Sequence, residues 1–347
     1  MSRRELLRFG AVFAVAAIAV VMHAAGVGGQ IVFVVSGVAL AGLAWTLGEA
    51  TDQAGDAAGA RASALLNATF GNLPEVVIVV LSIQAGLGDI ARASIIGSVI
   101  GNVLLILGLS LVVGGWKNGA QTFNERVATT NSSMLFLGVA TLGLPTLFAA
   151  LEHDPPAVEV LSRWTGGAML VCYAAYLVFS FRMPVLAFDD GSRKPRWSRR
   201  EAVIALALTA LGTGIVSEVL VDSIRPAVQS FGVPRAFVGL IVVPFVGNVA
   251  EHFSAVRLAY RNRLDFSMGI AYGSGIQVAL VASAVAVFAG AVMGHNLTLV
   301  FDPLELAALA AAAVGASLVA RGGQTNWLEG LQLVTVYLLV GVAVWLR

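Results

Sequence analysis

Eleven apolar stretches follow one another along this chain, centred near Ala16, Ala39, Glu75, Leu104, Val139, Val171, Leu208, Val246, Val281, Ala311 and Leu338. Crossing the hydrocarbon of a bilayer takes about 20 residues as a helix and only about 9–11 as a tilted strand, so these lengths predict helices rather than a barrel. With 58% of residues hydrophobic and 12% charged, the rest of the chain cannot cover a core with a water-facing surface. The expected fold class is therefore an all-α polytopic membrane protein with 11 transmembrane helices. Arg3, Arg4 and Arg8 precede the first apolar run as in a cleaved signal, but no small-residue cleavage site with a soluble domain behind it follows, and the run is kept as a helix.

Charge sets the orientation. With the N-terminus in the cytoplasm, 16 of the 21 Lys and Arg fall inside, and only Arg92, Arg163, Arg225, Arg235 and Arg347 fall outside. Cytoplasmic loops carry the excess of basic residues, so the N-terminus is expected inside and the C-terminus outside. A net charge of +1 gives no reason to expect nucleic acid, and the basic stretch 193–200 follows from the same inside rule. The single cysteine, Cys172, excludes an intrachain disulfide, and the four histidines show no zinc-like spacing.

The chain repeats itself at a shift of 176 residues. Gly71-Asn72-Leu73-Pro74-Glu75 falls on Gly247-Asn248-Val249-Ala250-Glu251, Asp89 on Asp265, Gly97-Ser98 on Gly273-Ser274, and Ile100 on Ile276. Setting the first helix (1–28) apart leaves two five-helix halves, 29–182 and 202–347, joined by a cytoplasmic linker, 183–201, that contains Pro184, Gly191 and Pro195. An odd number of spans per half means that the second half enters the membrane the other way up, which makes an inverted repeat.

Glu75 lies fourteen residues from Arg61 and fourteen from Asp89 with no charge between, which puts it near mid-bilayer at 1.5 Å per residue. Glu251 is less central, nearer Arg257 than Arg235. A carboxylate at such depth costs about 2.5 kcal/mol or more, so it should face a cavity or a partner. A protonated glutamate that only glues helices explains one such residue better than two at matching positions of a repeat. Asn72 with Glu75, and Asn248 with Glu251, are three apart and share a helix face. Gly71 with Pro74, and Pro244 with Gly247, weaken the helix there and free backbone carbonyls, although a simple kink is the alternative. In the next helix of each half, Ser98 with Asn102 and Ser274 with Gln277 add oxygens, or else pack closely and hydrogen-bond across helices.

Hard oxygens with two carboxylates suit Ca2+, which takes 6 to 8 flexible oxygen ligands, better than Mg2+; Mn2+ stays open. The cation is expected as transported substrate, with no cofactor. Two buried like charges are unfavourable when the site is empty, and either Ca2+ or two protons neutralises them. The loaded forms can then rearrange while the empty charged form cannot, which is antiport.

At these residues the sequence resembles the Ca2+/H+ antiporter (cation exchanger) family of the cation/Ca2+ exchanger superfamily. The match is carried by Leu65-Leu66-Asn67-Ala68-Thr69-Phe70-Gly71-Asn72, by 237–252 ending in Gly247-Asn248-Val249-Ala250-Glu251-His252, by Gly273-Ser274-Gly275-Ile276-Gln277, and by Thr325-Asn326-Trp327-Leu328-Glu329-Gly330. The resemblance implies eleven helices, alternating access and a central site on Glu75 and Glu251, with Asn72, Asn248, Ser98, Asn102, Ser274 and Gln277 as neighbours and carbonyl ligation at Gly71 and Gly247. Pro74 departs from the small residue usual at its place, and the linker lacks the acidic helix that many members carry. Val278 stands where the Na+-coupled branch tends to place an acidic residue, which favours protons as the coupling ion.

Two rivals are a Na+-coupled Ca2+ exchanger and a cation channel. Channels usually ring a pore by subunit symmetry, whereas one chain supplies both glutamates here. An enzyme is not expected, since no nucleophile, zinc site or phosphate loop accompanies the carboxylates. Short loops without a targeting peptide point to a bacterial inner membrane, with an organelle membrane as the alternative. Whether copies assemble into a homo-oligomer is left open, as is the role of Glu49, Glu218 and His252.

Overall fold

A computed structural model describes residues 1–58, 60–152, 154–182 and 196–347. The regular structure of the described residues is helical apart from one antiparallel pairing of Gln121–Thr122 with Gln324–Thr325. Its helices are α1 (Arg3–Ala24), α2 (Gly29–Ala58), α3 (Ala60–Phe70), α4 (Leu73–Gln84), α5 (Gly88–Asn118), α6 (Glu125–Leu151), α7 (Pro155–Arg182), α8 (Arg199–Phe231), α9 (Arg235–Gly247), α10 (Val249–Tyr260), α11 (Leu264–Val292), α12 (Pro303–Val319) and α13 (Trp327–Trp345). Each of the eleven predicted centres lies in a helical segment. Among the described residues, seven helices are long and apolar enough to cross a membrane, α9 and α10 meet that test only when taken together and are bent by 63° at the break between them, and α4 and α12 are shorter apolar helices.

Local chemistry sets several of the helix ends. Ser2 with Glu5, Ser198 with Glu201 and Asp302 with Glu305 form reciprocal caps that satisfy the first free N–H groups of α1, α8 and α12. Asn124 and Asn326 cap α6 and α13. Gly232, at φ 64°, ends α8 in the left-handed conformation that a side chain would strain.

Burial orders the helices from centre to rim. Along its most apolar stretch α5 is 89% buried and α11 61%, whereas α1 is only 17% buried, so α5 and α11 form the middle and α1 presents its apolar surface outward, as a lipid-facing helix does. α2 packs along α8, and Gly212 of α8 makes room for Leu43 and Phe13. α5 and α13 meet where Gly108 and Gly330 bring their backbones together.

Residues 183–195 of the expected linker lie outside the described residues. Its far end packs against α1 and α2. Trp197 is 2% exposed and meets Phe9 edge-on, with ring centroids 5.5 Å apart. Gln53 of α2 accepts the backbone N–H of Arg196 at 2.8 Å, and the Arg196 guanidinium pairs with Glu49 at 2.9 Å and Glu5 at 3.2 Å. The Met1 ammonium pairs with Glu201 at 2.8 Å. These contacts tie the start of α8 to α1 and α2, and they give Glu49 a structural partner.

Candidate functional site

Both repeated motifs break the helix that carries them. α3 stops at Phe70 and α4 begins at Leu73, with Asn72 between them at φ −108° and ψ 25°. α9 stops at Gly247 and α10 begins at Val249, with Asn248 at φ −93° and ψ 12°. Pro74 sits in the first turn of α4, where a missing N–H costs nothing. Pro244 lies within α9, and the turn before it, Val238–Val242, widens to a π-helix, which relieves the crowding a proline imposes on the preceding turn.

Asn72 and Asn248 stand at the cap positions of α4 and α10, yet neither caps its own helix. Asn72 Nδ2 donates to Gln277 Oε1 at 2.5 Å, and its Oδ1 accepts from Ser274 Oγ at 2.8 Å. Asn248 Nδ2 donates to the Pro244 carbonyl at 3.0 Å and reaches Ser98 Oγ at 3.5 Å. Asn102 Nδ2 donates to Ser274 Oγ at 2.7 Å. The first motif is thereby held to α11, the second to α5, and α5 to α11. Asn72→Ala would strand Gln277 and Ser274 as well as removing its own bonds, so a loss of roughly 1–3 kcal/mol is expected, read as a lower Tm in detergent.

Glu75 and Glu251 each occupy the third position of a new helix, where free N–H groups and the positive end of the helix dipole favour a carboxylate. Gly247 leaves the space that Glu75 fills: a Cβ there would stand 3.0 Å from Glu75 Oε1. Gly71 does not face Glu251 in the same way; a Cβ there would meet the Asn67 carbonyl at 2.5 Å, so this glycine serves the last turn of α3. Asn72, Glu75, Ser98, Asn102, Asn248 and Ser274 are buried, whereas Glu251 and Gln277 are half-buried.

Four buried oxygens at this centre have no hydrogen-bond partner: Glu75 Oε2, Glu251 Oε2, Asn102 Oδ1 and Asn248 Oδ1. These four unused acceptors, drawn from both repeated motifs and from α5, are groups that a cation or a proton donor can satisfy. No group of three or more His, Cys, Asp or Glu exists among the described residues, and the donor set is hard oxygen alone.

Sequence reasoning missed the widened turns. α5 is a π-helix over Gly101–Ile106, with Asn102 inside it, and α11 is one over Val278–Ala282, starting just after Gln277. Gly101 beside an apolar run was the only hint. Outside the centre, Asp89 pairs with Arg235 at 3.1 Å and Asp265 accepts from the Asn124 backbone at 2.6 Å, both near helix starts. His252 stacks on Phe245 at 5.1 Å, and its Nδ1 has no partner, so it packs rather than supporting Glu251.

The two halves are not packed alike around the centre. At Gly97 of α5 a Cβ would lie 2.1 Å from the Leu240 carbonyl oxygen and 2.6 Å from the Pro244 ring, so α5 and α9 touch backbone to backbone. At Gly273 of α11, the matching position, a Cβ would meet nothing within 4 Å.

Residues 29–182 and 201–346 match the family model described as sodium/calcium exchanger protein. The chain is 34% identical over 346 residues to a Ca2+/H+ antiporter of Synechocystis, covering 92% of each chain. It is 33% identical over 324 residues to the Ca2+/H+ antiporter ChaA of Bacillus subtilis, covering 91% of this chain and 92% of that one. The solved structure of native YfkE superposes with a TM-score of 0.86 at 31% identity, over 98% of this chain and 100% of the other.

Proposed function

The chain belongs to the sodium/calcium exchanger protein family, and on that premise we propose that it is a membrane antiporter exchanging Ca2+ for protons, with Glu75 and Glu251 taking up either Ca2+ or protons at one central site. The observation that carries this reading is the set of four unpartnered buried oxygens on Glu75, Glu251, Asn102 and Asn248. Ca2+ satisfies them by coordination. Protons on the carboxylates satisfy them by turning acceptors into donors and by removing the repulsion between two negative groups.

The same reading assigns alternating access to the two matched stretches as inverted five-helix halves, with α1 outside them and eleven spans in all, the broken α3–α4 and α9–α10 each counting as one. The N-terminus lies in the cytoplasm and the C-terminus outside a bacterial inner membrane. Half-helix N-termini and unwound backbone at mid-membrane are the architecture that carriers of this kind use to hold ions. The contact at Gly97 supports a closed outer side, and the open space at Gly273 supports an inner side that is not closed.

Proton rather than Na+ coupling is supported by Val278, which is 1% exposed and opens the π-turn of α11 with an apolar side chain. The test is Ca2+ flux in proteoliposomes under an imposed pH gradient, with Na+ absent and voltage clamped. Ca2+ movement tied to opposing proton movement is expected. Ca2+ movement that ignores the pH gradient but follows Na+ would replace protons as the coupling ion, and flux that needs neither would mean a channel.

A further inference from the structure

A groove of about 240 Å³ lies on the flank of the molecule where α12 and α13 meet over α5. Its floor is Leu104 of α5 and Leu333 of α13, both buried, and Ala311 and Gly315 of α12 leave it open because they carry almost no side chain. Polar groups line one end only. Glu329 stands in the first turn of α13 with Gln332 beside it, whereas Val336, seven residues or about 10 Å further along, lines the apolar part.

The polar end sits at headgroup depth. Trp327 begins α13 two residues before Glu329, and it meets Trp116, near the end of α5, edge-on with ring centroids 5.9 Å apart; both rings are exposed. Exposed tryptophans gather at the boundary between membrane and water. The groove therefore runs from that boundary into the hydrocarbon, as a phospholipid does, with its head end at Glu329 and its chain end toward Ala311 and Val336. At roughly 30 Å³ for a group the size of a water, the volume takes about eight such groups, which is a segment of one acyl chain.

The head decides which lipid is held. An acyl chain gains little by leaving other chains for an apolar groove, because both surroundings are hydrocarbon. The Glu329 carboxylate accepts from Thr325 Oγ1 and from Asn326 Nδ2, the latter at 3.4 Å, and both donors are neutral. It has no ion pair among the described residues. A half-buried carboxylate without a cation, at the head end of a groove for a lipid chain, complements an ammonium head and repels a head of net negative charge.

We propose that this groove is a binding site for a phospholipid with a primary ammonium head, of the phosphatidylethanolamine class. The ammonium donates to Glu329, the exposed Gln332 amide donates to the phosphate, and one acyl chain lies along Ala311 and Gly315 onto Leu104. Leu104 belongs to the wide turn Gly101–Ile106, on which α12 and α13 both pack. The seated chain thus fills in behind the segment that carries Asn102 and stabilises the folded protein. The site does not depend on which ion drives exchange.

The test uses the full chain in detergent, supplied with phosphatidylethanolamine, phosphatidylcholine or phosphatidylglycerol of identical chains, with bound lipid counted by native mass spectrometry and Tm read alongside. The quaternary head of phosphatidylcholine has no N–H to donate. The unmutated protein is expected to retain phosphatidylethanolamine at least about tenfold better than phosphatidylcholine, the worth of one charge-assisted hydrogen bond, and to gain Tm from phosphatidylethanolamine alone. Glu329→Gln should bind the two alike. Because Glu329 also accepts bonds at the start of α13, a second variant leaves that turn untouched: Ala311→Phe fills the groove from an exposed position and should lose the retained lipid, whereas Val314→Phe, exposed on the same helix outside the groove, should keep it. Equal retention of phosphatidylethanolamine and phosphatidylcholine by the unmutated protein would make the groove ordinary boundary surface, and a preference for phosphatidylglycerol would refute the charge argument. A phosphatidylethanolamine preference that survives in Ala311→Phe would place the lipid elsewhere and overturn the site.

Discussion

Glu75→Gln and Glu251→Gln are each expected to abolish Ca2+/H+ exchange in correctly inserted protein. Glutamine keeps the shape of the side chain and removes its charge, and its amide turns two donors toward a place where the cation needs acceptors. Removing one charged partner from a buried ionic site costs about 2–5 kcal/mol, enough to take Ca2+ binding out of its working range from either side. The site leaves little room for compensation. Glu75 is 5% exposed and confined against Gly247, and its Oε2 has no protein partner to fall back on. Flux and equilibrium Ca2+ binding, with monodispersity in detergent as the check on folding, would decide it. Exchange near the unmutated rate in either variant would remove that glutamate from the site.

The second large effect is expected at a residue that touches no ion. Gly97→Ala places a Cβ 2.1 Å from the Leu240 carbonyl oxygen, and a backbone atom cannot step aside as a flexible side chain does. α5 and α9 must separate, at a cost of about 1–3 kcal/mol or more, read as a lower Tm. Gly273→Ala should leave the Tm unchanged, because nothing lies within 4 Å of the added carbon. On the proposed alternating-access reading, Gly273→Leu should also fold, yet stall exchange, because the contact that Gly97 makes would have no counterpart at Gly273 in the opposite state. A Gly273→Leu protein that transports normally would show that this surface never closes.

The expected membrane class, the helical segments and the paired motifs were legible in the chain because each has a strong local cause. Long apolar runs demand helices in lipid, and Gly and Pro around Asn72 and Asn248 disfavour a continuous helix. The residues with polar neighbours were also legible: Ser98, Asn102, Ser274 and Gln277 are interior polar groups in apolar helices, and they join the two asparagines across the halves. What sequence could not supply was set by tertiary packing. That Gly97 is pressed against Leu240 while Gly273 meets nothing within 4 Å is a matter of tertiary contact, and both positions look the same in the repeat. The burial of Trp197 comes from Phe9, far off in sequence, and no local pattern announces it.

The widened turn over Gly101–Ile106 is, in backbone terms, one residue more than a regular α-helix would use. Each residue of an α-helix advances about 100° around the axis, so a regular helix of the same length would carry everything after the turn that much further round, and the wider turn takes up the surplus. Tightening the stretch with all its residues kept would swing Leu107, Ser110, Leu111 and Gly114 off the buried face and pull Gly108 away from Gly330. Deleting a single apolar residue from 103–106 would instead let α5 knit into an unbroken helix with those faces kept. What such a deletion removes is the wide turn itself, with Asn102 inside it.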